Sequence, residues 1–157
     1  MKLDFTLNGE SVSVEAPPYA SLLSVLRDRL SVRSTKQGCD YGGCGACTVL
    51  IDGKARYSCM TSALRVKRKS VTTLEGLAKN GVLDPLQQAF NEKWAAQCGF
   101  CSAGMILSAK ALLDETKYPS ESEIREAIVG NLCVCTGYQK IVEAIQSASI
   151  NSPKTSK

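Results

Sequence analysis

The stretch QGCDYGGCGACTVLIDGKARYSC, Gln37 to Cys59, packs four cysteines and five glycines together. Gly38, Gly42, Gly43 and Gly45 let the backbone wrap closely and adopt positive φ. Wrapped that way, amide N–H groups can point at anionic sulfur, as in other anion-binding nests. The 157 residues contain eight cysteines and no histidine. That excludes Cys–His zinc fingers, Rieske centres and Ser–His or Cys–His catalytic pairs. Whatever the thiols hold, they hold with sulfur alone. The opening MKLDFTLNGESVSVE alternates apolar and polar residues and lacks a secretory signal's continuous hydrophobic stretch. A cytoplasmic location, where thiols stay reduced, is therefore expected.

The first quartet reads Cys39-x4-Cys44-x2-Cys47, with Cys59 following after eleven residues. This is the plant-ferredoxin spacing for a [2Fe–2S] cluster; a zinc site is the alternative. TVLIDGKARYS reads as a hairpin turning at Asp52-Gly53, which sets Cys47 opposite Ser58 and delivers Cys59 beside the loop. Ahead of it, Leu3, Phe5 and Leu7 mark a strand, Asn8-Gly9 a turn, and Val12 and Val14 a second strand. SLLSVLRDRL places Leu22, Leu23, Leu26 and Leu30 on one helical face, and Val71 to Leu74 is one more short strand. The reading is a β-grasp-like α+β domain over residues 1–76.

Residues 77–83, LAKNGVL, resemble a linker, and beyond them the period turns helical. Asp84-Pro85 is an N-cap and first position for PLQQAFNEKWAA. Ser102 is expected to cap AGMILSAKALLDE, and Ser120 with Glu123 forms a capping box for a helix ending near Gly130. Thr136 is expected to cap GYQKIVEAIQSAS. Residues 84–150 thus read as an all-α four-helix bundle, and 151–157 as a disordered polar tail. The second quartet, Cys98-x2-Cys101 with Cys133-x-Cys135, places each pair just before a helix start. There the positive dipole end lowers thiol pKa values. Read alone, CxxC also suits a redox dithiol or half a zinc ribbon; with the C-x-C partner a four-sulfur metal site is the better reading, iron–sulfur ranking ahead of zinc.

Together, GCDYGGCGACTVLIDGK…SC and QCGFC…GNLCVCTGYQKIVEAI resemble the iron–sulfur subunit of the xanthine oxidase family of molybdenum hydroxylases, from about Leu3 to about Ile145. The resemblance implies a ferredoxin-like domain with one [2Fe–2S] cluster and a helical domain with the other. It implies that Cys39, Cys44, Cys47 and Cys59 bind the cluster nearer a flavin. Cys98, Cys101, Cys133 and Cys135 would bind the cluster nearer a molybdopterin, with Gln97 and Cys135 close to the pterin. A large molybdopterin-binding subunit and a medium FAD-binding subunit are the implied partners, in a heterotrimer or its dimer. Electrons would run from molybdenum through both clusters to FAD. Substrate specificity would reside on the large subunit, with a lean toward purine or N-heterocycle hydroxylation. Two departures stand out: Val134 replaces the family's usual Arg, and Ser102-Ala103 replaces the frequent Thr-Pro.

Three rival readings remain: a free-standing two-cluster electron carrier, a structural zinc module, and a disulfide-stapled secreted protein. A net charge of +4 is too small to argue for nucleic acid, and no apolar run reaches the ~18 residues of a membrane span. The dense run Arg65-Val66-Lys67-Arg68-Lys69 reads as a solvated turn, with a docking face for an acidic partner as its functional alternative. Trp94 is expected in core or subunit-interface packing, Tyr138 in packing, and Phe100 as a shield against water. Asp28, Asp52 and Asp84 read as helix-surface, turn and cap residues. No paired carboxylates and no nucleotide fingerprint are present.

Overall fold

A computed structural model describes residues 1–151; the tail expected to be disordered lies outside these, apart from the backbone of Asn151. The N-terminal half carries β1 (Lys2–Leu7), β2 (Glu10–Glu15), β3 (Thr48–Ile51), β4 (Lys54–Tyr57) and β5 (Ser70–Thr72). They form one mixed sheet in the order β2-β1-β5-β3-β4, with β1 and β5 parallel. This is the β-grasp arrangement. Both hairpins turn as their sequences dictate: Asn8-Gly9 and Asp52-Gly53 all take positive φ, which suits the right-handed twist of the flanking strands.

β3 explains how the two halves join. Its apolar run TVLI is buried on both faces. Val49 points into a core of Leu3, Phe5, Leu22, Val25, Leu26 and Val71. Leu50 points the other way, into a core shared with the helices. The helix over the first core is shorter than expected: α1 (Leu22–Ser24) continues as a π-helical turn over Val25–Arg29, closed by the Leu30 N–H on the Val25 carbonyl. The wider turn buries the sequence neighbours Val25 and Leu26 together.

Four further helices follow: α2 (Pro85–Glu92), α3 (Ser102–Glu115), α4 (Glu121–Ile128) and α5 (Gln139–Asn151). α2 packs on α3 and α5, α4 on α3 and α5, and α3 lies against β3 and β4. Leu86, Met105, Leu107, Ile124, Ile128, Ile141 and Ile145 fill the space between them. Each such buried side chain contributes about 1.5–3 kcal/mol. Residues 77–83 are not a free strap: Leu77 is buried in this core, and Lys79 and Val82 pair across the Asn80-Gly81 turn.

Helix ends depart from expectation in three places. α2 stops at Glu92 because Trp94 turns left-handed (φ 55). The Ala95 N–H then bonds the Phe90 carbonyl and the Trp94 N–H the Asn91 carbonyl, a Schellman ending. Ser102 is the first residue of α3 rather than its cap; Cys101 holds the cap position. Thr136 does not cap α5, which starts at Gln139; its hydroxyl accepts the Tyr138 N–H instead. Asp84 caps α2 as expected, with Gln87 completing a capping box, and the Ser120–Glu123 box forms as expected on a helix ending at Ile128. Asp84→Ala removes the bond to the Leu86 N–H. It should cost about 1 kcal/mol and lower the melting temperature by roughly 3 °C, measured by circular dichroism. An unchanged melting curve would contradict the cap's role.

Candidate metal centres

The first quartet is built by a loop and a hairpin. In the hairpin register Thr48 faces Tyr57 and Ile51 faces Lys54. Cys47 therefore lies opposite Ser58, whose N–H and Oγ both donate to the Cys47 carbonyl, at 3.3 and 2.7 Å. A 3-10 turn, Ser58–Met60, then places Cys59 Sγ 3.3 Å from Cys47 Sγ. Across the loop, Cys44 lies beside Cys39, and Cys39 Sγ accepts the Gly43 N–H at 3.2 Å. The amide nest expected from the glycines is present. The N–H of Tyr41 chiefly draws the Cys39 thiol down to about 7, against burial, with help from Cys44 and Gly43. Burial, then the Cys47 thiol beside it, pushes Cys59 up to about 12.

The second quartet stands at the helical end. Cys98 and Cys135 are exposed, with their Sγ atoms 3.6 Å apart. Cys101 and Cys133 lie deeper, side by side. Burial first, then Cys133, raises Cys101 to about 12. The Phe100 N–H lowers Cys98, and the Cys98 thiol raises Cys135. For Cys133, burial works upward, but the Thr136 hydroxyl and the N–H groups of Cys135 and Thr136 carry the thiol downward. Only Cys101 stands at a helix N-terminus; Cys133 and Cys135 sit in the loop well ahead of α5, so the expectation of two helix dipoles holds for one.

In both quartets the sulfurs approach two by two: Cys39 with Cys44, Cys47 with Cys59, Cys98 with Cys135, Cys101 with Cys133. Among the described residues no three such side chains gather around one point. Two thiolates for each of two irons is the donor set of a [2Fe–2S] cluster. The residues fit that group.

Sequence reasoning missed what joins the quartets. The Leu132 N–H, one residue before Cys133, donates to the Cys44 carbonyl at 2.9 Å. Beside it the buried Asn131 donates to the Gly45 carbonyl at 3.0 Å and to Thr48 Oγ1, and accepts from Ser108 Oγ at 2.8 Å. Tyr57 OH reaches the Gly130 carbonyl, and Tyr138 OH spans the Asn131 carbonyl and the Cys133 N–H. Gly45 (φ 70) has no room for a Cβ, which would strike the Gly130 carbonyl, and a Cβ on Gly104 of α3 would strike the Gly45 carbonyl. The sequence offered one sign, the polar Asn131 two residues before Cys133.

Phe100 lies close to Gly38, so its ring bridges the two cysteine loops. Trp94 is exposed, not core. Gln97 is exposed beside Cys98, at the same rim as Cys135. Phe100, Leu132 and Val134 give that rim an apolar surface, Val134 being fully exposed.

Comparison with known proteins places this geometry. A 2Fe-2S iron-sulfur cluster binding domain model matches residues 5–78, and a [2Fe-2S] binding domain model matches residues 73–146. The nicotinate dehydrogenase small FeS subunit of Eubacterium barkeri is 45% identical over 146 residues, 93% of each chain. The xanthine dehydrogenase iron-sulfur-binding subunit of Escherichia coli O157:H7 is 43% identical over 145 residues, 91% of each chain. The chain belongs to the iron–sulfur subunits of the molybdenum hydroxylase family. The crystal structure of quinoline 2-oxidoreductase from Pseudomonas putida 86 superposes with a TM-score of 0.92 at 41% identity, covering 96% of this chain and 94% of that one. As a member of the molybdenum hydroxylase family, the chain is an electron-transfer component of an oxidoreductase with two 2Fe–2S domains, and the zinc reading falls away. No helix among the described residues is long and apolar enough to cross a membrane.

Asn131→Ala removes bonds to Gly45, Thr48 and Ser108 and leaves buried groups unpaired. The expected cost is about 3 kcal/mol, with earlier loss of cluster absorption on heating. Thermal unfolding of the cluster-loaded chain followed in the visible checks it; wild-type behaviour would show that the seam is not a structural joint.

Proposed function

We propose that this chain carries electrons from a molybdopterin centre on a large subunit, through two clusters, to FAD on a medium subunit. The single observation that supports it best is the juncture of the quartets, with Leu132 hydrogen-bonded to Cys44 one residue from Cys133. Each [2Fe–2S] cluster, when bound, takes and gives one electron at a time.

The ligands proposed for the first cluster are Cys39 with Cys44 on one iron and Cys47 with Cys59 on the other. For the second they are Cys98 with Cys135 and Cys101 with Cys133. The protein's share of the chemistry is to hold, shield and tune these centres. Backbone amides of Tyr41, Gly43 and Cys44 aim at Cys39, and those of Cys135 and Thr136 at Cys133. Such donors stabilise the more negative, reduced state and raise the potential.

The exposed rim of Gln97, Cys98 and Cys135 with its apolar surround is the proposed docking site for the large subunit, Gln97 and Cys135 facing the pterin. Domain limits at 1–76 and 84–150, a four-helix-bundle second domain, a heterotrimer or its dimer, and a cytoplasmic setting complete the reading. Nicotinate, quinoline and xanthine, named by the relatives, are all N-heterocycles, which favours substrates of that class.

Purification from the native source tests this. Chains with molybdenum and flavin should accompany this one, with about four irons per small chain, and Cys59→Ser should halve the iron without dissolving the second centre. A chain that purifies alone with both clusters would be a free-standing carrier instead. Two irons in fully loaded wild-type protein would mean one quartet is misassigned.

A further inference from the structure

The cationic run is not spent on a solvated turn alone. Arg56 of β4 pairs with Val49 and so lies on the same face of the sheet. β4 is the edge strand, and beside it the segment from Ser58 to Lys69 folds back, leaving a groove of about 770 Å³. Lys54 and Arg56 line it from the strand, Arg65 and Lys69 from the returning segment, and Tyr57 and Met60 lie between. Against four cations the groove holds one carboxylate, Asp52, already bound to Lys69 at 2.9 Å and to the Ser70 N–H at 3.0 Å. Among the described residues Lys54, Arg56 and Arg65 form no ion pair.

We propose that this groove receives an acidic segment of the flavin-bearing subunit, seating that subunit against the first quartet; this rests on the function proposed above. Position supports it. Met60 follows Cys59 directly, is mostly exposed, and lies against Gly42 of the cysteine loop. The groove therefore runs up to the first quartet, while the second has its own, apolar rim. Edge-strand protection accounts for Lys54 and Arg56 on β4. It does not account for Arg65 and Lys69 converging on the same space from another segment. Arginine, tyrosine and methionine together are what interface cores favour, and unpaired cations steer and orient an acidic partner.

The test uses the full complex carrying Arg56→Glu/Arg65→Glu in this chain. Wild type and Lys79→Glu/Lys117→Glu, outside the groove, serve as references. Iron, molybdenum and FAD per complex are measured after gel filtration at low and raised salt. The proposal expects the groove variant to keep iron and molybdenum while its affinity for the flavin chain falls about tenfold or more. The wild type should lose flavin chain as salt rises, and the reference variant should match it. Equal FAD in groove variant and wild type overturns the proposal, as does loss of the molybdenum chain in place of the flavin chain. If the double charge reversal loses iron, Arg56→Gln/Arg65→Gln replaces it, and full FAD retention there overturns the proposal too. A wild-type preparation with neither flavin nor molybdenum chain overturns the functional reading itself, and this docking with it.

Discussion

The hydrogen bond from the Leu132 amide to the Cys44 carbonyl is the constraint around which the rest is arranged. It joins a loop of the sheet half to a loop of the helical half, one residue from a cysteine on one side and at a cysteine on the other. Electron transfer falls steeply with distance, so two carriers in one chain are useful only if their separation is fixed. A lone surface hydrogen bond contributes only about 1 kcal/mol net. Here it is backed by buried partners: Asn131 on Gly45, Ser108 on Asn131, and Tyr57 on Gly130. Glycines at 45 and 104 let backbones meet where a Cβ would hold them apart, and glycine at 130 leaves room for the Tyr57 hydroxyl. The seam is polar and fully engaged, the kind of network that specifies one arrangement rather than several.

Packing and chemistry meet in β3. Its two faces serve two cores, so the hairpin that presents Cys47 and Cys59 is clamped from both sides. The thiol that a metal needs deprotonated and the thiol that burial would keep neutral stand in the same quartet, Cys39 and Cys59. A bound cation reverses that preference, since coordination deprotonates a thiol outright. Cluster binding is thereby coupled to completing the loop, and the loop to the seam.

Much of this was legible in the residues because it was local. Cysteine spacing, the Asn8-Gly9 and Asp52-Gly53 turns, the Asp84 cap and the Ser120 capping box act over a few residues, and the structure repeats them. The departures have two causes, a competing local bond or a partner far along the chain. Thr136 has the chemistry of a cap but is drawn to Tyr138 and Cys133. Trp94 reads as core or subunit-interface packing, and the Schellman ending of α2 throws it outward, away from the core. Asn131 matters through contacts with Gly45, 86 positions away, which no short window of sequence displays. The identity of the two halves was readable from motifs; the joint between them was not.

The most direct test of two conducting centres in one chain is electron paramagnetic resonance of the freshly isolated protein, reduced with dithionite and integrated for spin. Two distinct signals of one spin each per chain are predicted, their differences reflecting the unequal burial and amide environments of the quartets. A single signal, or none, in protein with its full complement of iron would contradict the account.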